Sequence, residues 1–398
     1  MPQIFTMKEV FIVAAKRTPI GSFLGSLSQI PAPVLGGYAV KAALQQANLA
    51  PEHVQELLFG NVVSANLGQA PASQVAYYGG LPVHVPCTHI NKVCASGMKS
   101  IMLGAQSIML GHQDIIMTGG MENMSLTPHY LPNARTSMKY GNIQILDGIN
   151  RDGLQDPFDS SLMGICGEMC AAEYKITREE NDQYAIQSYR RAIEATQKGY
   201  FKNEIAPVPI QTKSGEVLFE KDEEIEKVKF DKIPTIKPAF QKDGTITAAN
   251  SSKLSDGASA VLLASGEAVK KHGLKPLAKI LSFADAAVES KWFSIAPSKA
   301  MPKALQLAGL EMKDMDAVEI NEAFATVVLV NQRLMNIPNE KINILGGAIS
   351  LGHPIGSSGA RIMATLISAL EVVNGKYGII GICNGGGGAS AVVIERIK

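Results

Sequence analysis

Two cysteines, one histidine and one asparagine stand in this chain where strand-like runs end, and three of the four are set among small residues. Cys94 falls in Asn91-Lys92-Val93-Cys94-Ala95-Ser96-Gly97-Met98, between a strand-like run and a helical pattern. At such a junction the helix dipole and unpaired N–H groups favour a thiolate, and the cysteine's own N–H can face the oxyanion of an attached acyl group. A buried core cysteine is the plainer alternative. His353, in Gly346-Gly347-Ala348-Ile349-Ser350-Leu351-Gly352-His353-Pro354-Ile355-Gly356, is an imidazole presented by tightly turned backbone. That suits general-base work or hydrogen bonding to a carbonyl, with a structural histidine as the rival. Cys383 opens Cys383-Asn384-Gly385-Gly386-Gly387-Gly388. Four glycines after a strand cost backbone entropy and make sense where N–H groups line a pocket, the thiol shuttling a proton; a flexible turn is the alternative. Asn321, in Asn321-Glu322-Ala323-Phe324, either holds a water or a substrate oxygen, or is an ordinary helix cap. Two thiols, one imidazole and glycine-walled anion pockets together suit acyl transfer through a thioester. One thiolate takes the acyl group and the second thiol removes or returns a carbon-bound proton.

Other chemistry-bearing residues point elsewhere. Cys166 and Cys170 lie four apart on one helix face, without the further ligands a zinc site needs, and read as core packing. The run 221–232 carries both charge signs and reads as a solvated face in which Lys227, Lys229 and Lys232 are placed to meet phosphates. His84, Cys87 and His89 read as loop residues. Neither Ser96-Gly97 nor the glycine-rich tail matches a dinucleotide fingerprint or a phosphate loop.

The elements that must position these residues alternate between strand and helix. Strand-like runs at 10–15, 57–63, 88–93 and 114–118 are interleaved with helical stretches at 34–48, 69–80 and 94–110, which argues for an α/β layered fold. The segment 121–249 is polar, loop-rich and punctuated by proline, apart from an amphipathic helix at 177–198 opened by the capping box Thr177-x-x-Glu180. It reads as an insertion. After Asn250 the first texture returns: Gly257-Ala258-Ser259-Ala260-Val261 recurs as Gly388-Ala389-Ser390-Ala391-Val392. The run 277–283 matches the first strand and 377–383 matches 114–118, so two similar α/β halves are expected.

Composition narrows the class. The 398 residues suggest two or three domains, and 46% apolar against 18% charged residues excludes wholesale disorder. A formal net charge of +1 supplies no field for nucleic acid or anionic membranes, and no apolar stretch is long enough to span a bilayer. Five cysteines are too few and odd in number for a disulfide framework. The segment before the first strand reads as no leader, so a cytoplasmic location is expected, or a mitochondrial one if a presequence has been removed.

These blocks resemble the thiolase family. Arg17-Thr18-Pro19-Ile20-Gly21, 91–98, Gly119-Gly120-Met121-Glu122, 321–324, 352–356 and 383–388 occur in order over essentially the whole chain, and the resemblance is strongest to the branch that condenses two acetyl-CoA. It implies the thiolase-like α/β fold: two βαβαβαββ halves in five layers (α-β-α-β-α), with residues 1–121 and 250–275 as the first half, 122–249 as an inserted loop domain that binds CoA, and 276–398 as the second half. It implies that Cys94 is acetylated, that His353 activates it and donates to an oxyanion hole, and that Cys383 deprotonates the second acetyl-CoA. Asn321 holds a water in that hole, while the N–H groups of Cys94 and Gly385 form a second one.

The resemblance further implies acetyl-CoA, acetoacetyl-CoA and CoA as partners, no tightly bound cofactor, and a homotetramer built as a dimer of dimers. Lys227, Val228, Lys229, Lys232 and Ser252 match CoA contacts, although Lys229 replaces an acidic residue; Met163, Phe293 and Phe324 match the acyl pocket. One potassium-activated subgroup has its ion on positions matching Tyr189, Ala248, Ala249, Ser251 and Ile349, mostly through carbonyls. That subgroup also has Phe-Pro where this chain has Phe293-Ser294. A degradative thiolase for longer chains shares the catalytic residues, a decarboxylating synthase would lack Cys383, and a non-catalytic scaffold would have an eroded site.

Overall fold

The computed structural model describes residues 7–136, 139–213 and 215–398; residues 1–6, on which the expectation about a leader rests, lie outside them. In chain order the elements that build the frame are β1 (Val10–Arg17), α1 (Ala32–Ala47), β2 (Glu56–Gly60), α2 (Pro71–Gly79), β3 (Cys87–Ile90), α3 (Ser96–Met109) and β4 (Ile115–Asn123). Then follow α4 (Met163–Glu173), α5 (Arg178–Gln197), β5 (Ser255–Ser265), β6 (Ala278–Ala287), α6 (Pro297–Ala308), β7 (Ala317–Ile320), α7 (Ala325–Met335), α8 (Ser358–Val372), β8 (Tyr377–Asn384) and β9 (Gly388–Arg396).

The halves repeat strand by strand. In the first, β1 pairs antiparallel with β5, β5 antiparallel with β4, β4 parallel with β2 and β2 parallel with β3. In the second, β6 pairs antiparallel with β9, β9 antiparallel with β8 and β8 parallel with β7, and a parallel bridge from Val318 to Ile342 stands where β3 stands in the first half. A short β1–β6 pairing, Val10 opposite Ile280, joins the two edges.

Alternation along the strands sorts side chains into layers. Ala258, Ala260, Leu262 and Ala264 of β5 face α1 and α2, while Val261 and Leu263 face α3 and α8. In the second half Ala391 and Val393 face α6 and α7, and Val392 and Ile394 face the same central helix pair. The order is helices, sheet, α3 with α8, sheet, helices. The two helices that follow Cys94 and His353 therefore lie side by side in the middle.

Two expectations shift. The strand expected at 114–118 continues through Gly119 and Gly120 to Asn123, the glycines serving close approach within the strand: a side chain on Gly119 would stand 2.2 Å from the Ser259 carbonyl oxygen and one on Gly120 2.0 Å from the Gly356 carbonyl oxygen. Consequently Met121, opposite Ala258, takes the place that Cys383, opposite Ala389, takes in the second half, and the repeat aligns 377–383 with 115–121. The capping box on α5 forms as read, Thr177 accepting from the Glu180 amide and Glu180 from the Thr177 amide.

Candidate active site

The Cys94 loop is held tightly. Val93, a β-branched residue, sits at φ 49°, a conformation kept only when the surroundings impose it. The impositions are local: the Val93 N–H donates to Asn91 Oδ1 at 2.9 Å, Ser96 Oγ to the Val93 carbonyl at 2.6 Å, and the Lys92 N–H to Ser96 Oγ at 2.8 Å. Lys92 and Lys99 both pair with Asp285 on β6, which ties the loop to the opposite half and drives that carboxyl down to about 2 despite its burial. Cys94 keeps part of its surface open and packs against the cluster of Val62, Val63, Met124 and Ile355.

Burial outweighs the helix here. The thiol is pushed up to about 11 by desolvation, with the field of Glu122 adding to it; the N–H groups of Gly385 and of Cys94 itself point at the sulfur and pull it only partly back. The thiolate expected from the helix dipole is thus not the resting state, since desolvation penalises the charged form more than two amides compensate. The same two amides are those matched to an oxyanion hole.

His353 is 4% exposed. Its Nδ1 meets Ser358 Oγ at 2.6 Å, and Ser358 in turn donates to the Pro354 carbonyl at 3.0 Å. The serine proton being committed, Nδ1–H is the donor and Nε2 carries the lone pair. Desolvation, then the field of Arg361, lowers the imidazole to about 3, so it is neutral. Asn321 Nδ2 lies 3.4 Å from Nε2, and Asn321 Oδ1 is buried without a protein partner. A polar atom in that condition calls for a water or a substrate oxygen.

Cys383 is 1% exposed at the end of β8. Desolvation raises it well above the ordinary thiol range and the charge of an ionised Cys94 raises it further, so the two sulfurs feel one another. The glycines beyond it divide their work. Gly386 and Gly387, both at φ 83°, make the turn into β9, as the plainer reading had it, while Gly385 aims its N–H at Cys94.

A cavity of about 330 Å³ opens onto His353. It is walled by Met163, Phe324, Phe240, Met124 and Ile355, and along one side by Ala248, Ser251, Ser252 and Lys253. Phe293 lies apart from that wall, 3% exposed in the apolar cluster that also holds Cys383 and Met163. Val228 packs on the same cluster. Lys229 and Lys232 are exposed, and Lys227 is engaged with Ser22 Oγ at 2.6 Å and Glu223 at 3.4 Å. Tyr189 is buried on α5, Ile349 is fully buried, and Ala249 is buried within the Ala248–Ser251 loop. Cys166 and Cys170 are buried, and no group of His, Cys, Asp or Glu among the described residues is arranged to hold a metal.

Sequence reasoning missed two buried residues and one half-buried one. Glu122, 1% exposed, accepts from the amides of Val62, Val63 and Gly356 and from Asn61 Nδ2, joining three loops around the site; desolvation raises it to about 7. Glu322 takes the Tyr184 and Ser188 hydroxyls, each at 2.7 Å, and the Ile349 amide at 3.0 Å. Lys253 Nζ donates to the carbonyls of Ala248 and Ser251, with burial lowering it to about 8. Both glutamates sat in quoted motifs; a charged residue inside an apolar, glycine-rich block was the available signal.

The chain matches the models of the thiolase N-terminal domain over residues 10–267 and the thiolase C-terminal domain over residues 274–396. It is 52% identical to acetyl-CoA acetyltransferase 2 of Arabidopsis thaliana, covering 98% of each chain. With the cytosolic acetyl-CoA acetyltransferase ERG10 of Gibberella zeae it shares 49% identity, again over 98% of each. Among solved structures, human mitochondrial 3-ketoacyl-CoA thiolase in complex with CoA superposes with a TM-score of 0.94 at 39% identity, over 98% of both chains.

Proposed function

We propose that this chain, which belongs to the thiolase family, is an acetyl-CoA C-acetyltransferase that reversibly condenses two acetyl-CoA into acetoacetyl-CoA and CoA. The observation that carries the chemistry is a neutral imidazole 3.4 Å from Asn321, whose oxygen is unpaired, together with two thiols that feel one another and two amides aimed at one of them. The choice of acetyl over longer acyl groups rests on relatives near 50% identity that carry the acetyltransferase name, since the fold is shared with a 3-ketoacyl-CoA thiolase.

The roles follow from protonation states. Cys94 attacks the thioester carbonyl as its proton passes to Nε2 of His353, the tetrahedral oxyanion forms, and CoA thiolate leaves with a proton from Cys383. Acetyl-Cys94 remains, facing the N–H groups of Cys94 and Gly385. The Cys383 thiolate then takes a proton from the methyl of a second acetyl-CoA, its enolate oxygen held by the Asn321 water and His353. Carbon–carbon bond formation follows, Cys94 is expelled as thiolate, and it regains its proton from His353. A resting thiol at Cys383 suits a residue that must first donate. Asn321 Oδ1 accepts from the water that donates to the enolate oxyanion, and the Gly385 N–H donates directly to the oxyanion of the acetyl-enzyme.

The CoA moiety is assigned to the segment 122–249, taken as a loop domain between a half formed by 1–121 with 250–275 and a half formed by 276–398. Ser252, Val228, Lys227, Lys229 and Lys232 are its assigned contacts, and Met163 and Phe324 shape the acyl end, with Phe293 in the apolar cluster that holds Met163 and Cys383. A cytosolic location, on the strength of the cytosolic relative, and a homotetrameric assembly belong to the same proposal. A potassium ion on Tyr189, Ala248, Ala249, Ser251 and Ile349 does not, because a side chain of this chain already takes carbonyls of that set.

The test is thiolysis by free CoA of acetoacetyl-CoA beside longer 3-ketoacyl-CoA. Turnover confined to the four-carbon substrate is expected. A rate that rises with chain length would transfer the same residues to acyl-chain degradation.

A further inference from the structure

Lys253 is the one residue of the cavity wall whose charge the acyl-transfer chemistry does not use. Its side chain folds back on its own loop. Nζ donates to the Ala248 carbonyl and, at 2.9 Å, to the Ser251 carbonyl, and lies 5.8 Å from the centre of the Tyr189 ring. Three of the five positions matched to an alkali-ion site thus surround an ammonium. A carbonyl cage of that kind binds a single positive charge by replacing its hydration shell, and Nζ presents three N–H donors to do the same. A potassium ion and this ammonium cannot both occupy the cradle without like-charge repulsion at contact distance, so the residues present do not fit the ion.

The cradle is also coupled to the catalytic wall. The Lys253 carbonyl accepts the His353 N–H at 3.1 Å, and Ser255 Oγ bridges the same pair, donating to the Lys253 carbonyl at 2.9 Å and accepting from the His353 N–H at 3.2 Å. Ala248, Ser251, Ser252 and Lys253 together form the side of the cavity assigned to CoA. Whatever pins Nζ therefore fixes both the CoA side and the backbone of the histidine.

We infer that the ammonium of Lys253 is a built-in monovalent cation that orders the 247–253 loop in place of a potassium ion, which makes this enzyme independent of potassium. Lys253 is on this view a positioning residue: it touches no reacting atom and acts on CoA binding through the loop.

The experiment compares potassium, sodium and choline chlorides at matched ionic strength, reading the melting temperature and the KM for CoA in thiolysis. For the unaltered protein both are expected to be the same in the three salts. Lys253→Met keeps the length and removes the charge. With two charge-assisted hydrogen bonds lost, its KM for CoA should rise about tenfold or more in choline, with kcat changed less. Potassium should then lower that KM and raise the melting temperature. Stimulation or stabilisation of the unaltered protein by potassium over choline would overturn the inference. So would a Lys253→Met protein unaffected in every salt, or one weakened but not rescued by potassium. Should that variant fail to fold, the unaltered protein in three salts decides alone. The melting comparison needs no turnover, so it stands or falls separately from the acetyl-transfer reading.

Discussion

Gly359 lies so close to Met98 that a methyl group placed on it would stand 2.2 Å from the Met98 amide nitrogen. The contact is reciprocal: a methyl on Gly97 would stand 2.9 Å from the Ala360 nitrogen and 3.0 Å from the Gly356 oxygen. These glycines let the first turns of α3 and α8 cross, and the crossing sets the Cys94 loop beside the His353 loop. In Gly359→Ala, backbone rather than a flexible side chain must give way. A destabilisation of about 1–3 kcal/mol is expected from overpacking, with a fall in kcat larger than Gly-to-Ala substitution produces at an exposed helix position. Urea unfolding and thiolysis kinetics check it, and an unchanged kcat would show that the crossing does not set the catalytic distance.

The neutral His353 and protonated Cys94 make a definite pH profile. His353 is lowered from 6.5 to about 3, so kcat/KM should show no acid limb near pH 6.5 and should hold its value down to pH values where an exposed histidine is already charged. Cys94 is raised from 9.0 to about 11, so alkylation of the free enzyme by iodoacetamide should climb throughout the range from pH 7 to 10. An alkylation plateau by neutral pH would mean a thiolate–imidazolium pair instead. Stability carries the opposite dependence on acid. The unfolded chain binds the His353 proton below pH 6.5 while the native state declines it until about 3, so this residue costs stability as pH falls through that window.

Much of this arrangement was legible in the residues, and the failures have physical causes. The repeat of Gly-Ala-Ser-Ala-Val marked equivalent strands β5 and β9, and the capping box fixed the start of α5. Local patterns of that kind are set by neighbours in sequence. The end of β4 was misplaced because Gly119 and Gly120 look like a terminator, whereas the Ser259 carbonyl and the Phe59 ring demand the first and a loop more than two hundred residues away demands the second. The thiolate at Cys94 was misjudged for a related reason: the dipole is local to the helix, but desolvation depends on everything packed around it. Glu122 and Glu322 bind main-chain groups of distant loops, and no spacing rule announces a side chain whose partners are brought by the fold.

Arg17 supplies the test of how the inserted segment is held on the frame. It is wholly buried, its Nε 2.6 Å from Glu204 and its Nη atoms 2.7 and 2.9 Å from the two oxygens of Asp222, a bidentate geometry that fixes direction as well as charge. Both acids come from the segment between β4 and β5. Arg17→Ala leaves two carboxylates buried without their partner and should cost about 3–5 kcal/mol. Because the loss is an uncompensated charge rather than a missing contact, Arg17→Met, which fills the space, should be nearly as damaging. A methionine variant of native stability, measured by urea unfolding, would mean that packing rather than charge holds the segment.

Separating the two thiols separates the two halves of the reaction. Cys94→Ser should lose activity by several orders of magnitude, since a hydroxyl beside a neutral imidazole is a far weaker nucleophile than a thiol. No acetyl group should then appear on the protein after exposure to acetyl-CoA. Cys383→Ala keeps Cys94, His353 and the amides of Cys94 and Gly385, so it should still take up acetyl from acetyl-CoA, detected by the intact mass of the protein. It should fail to condense, and it should fail to exchange the methyl protons of a second acetyl-CoA with deuterated solvent, because the only group assigned to remove that proton is gone. The exchange readout distinguishes a missing base from a merely disturbed pocket: a disturbed pocket slows acetyl uptake and exchange together, whereas loss of the base abolishes exchange while acetyl-Cys94 accumulates. Normal condensation by Cys383→Ala would remove the acid–base role from Cys383.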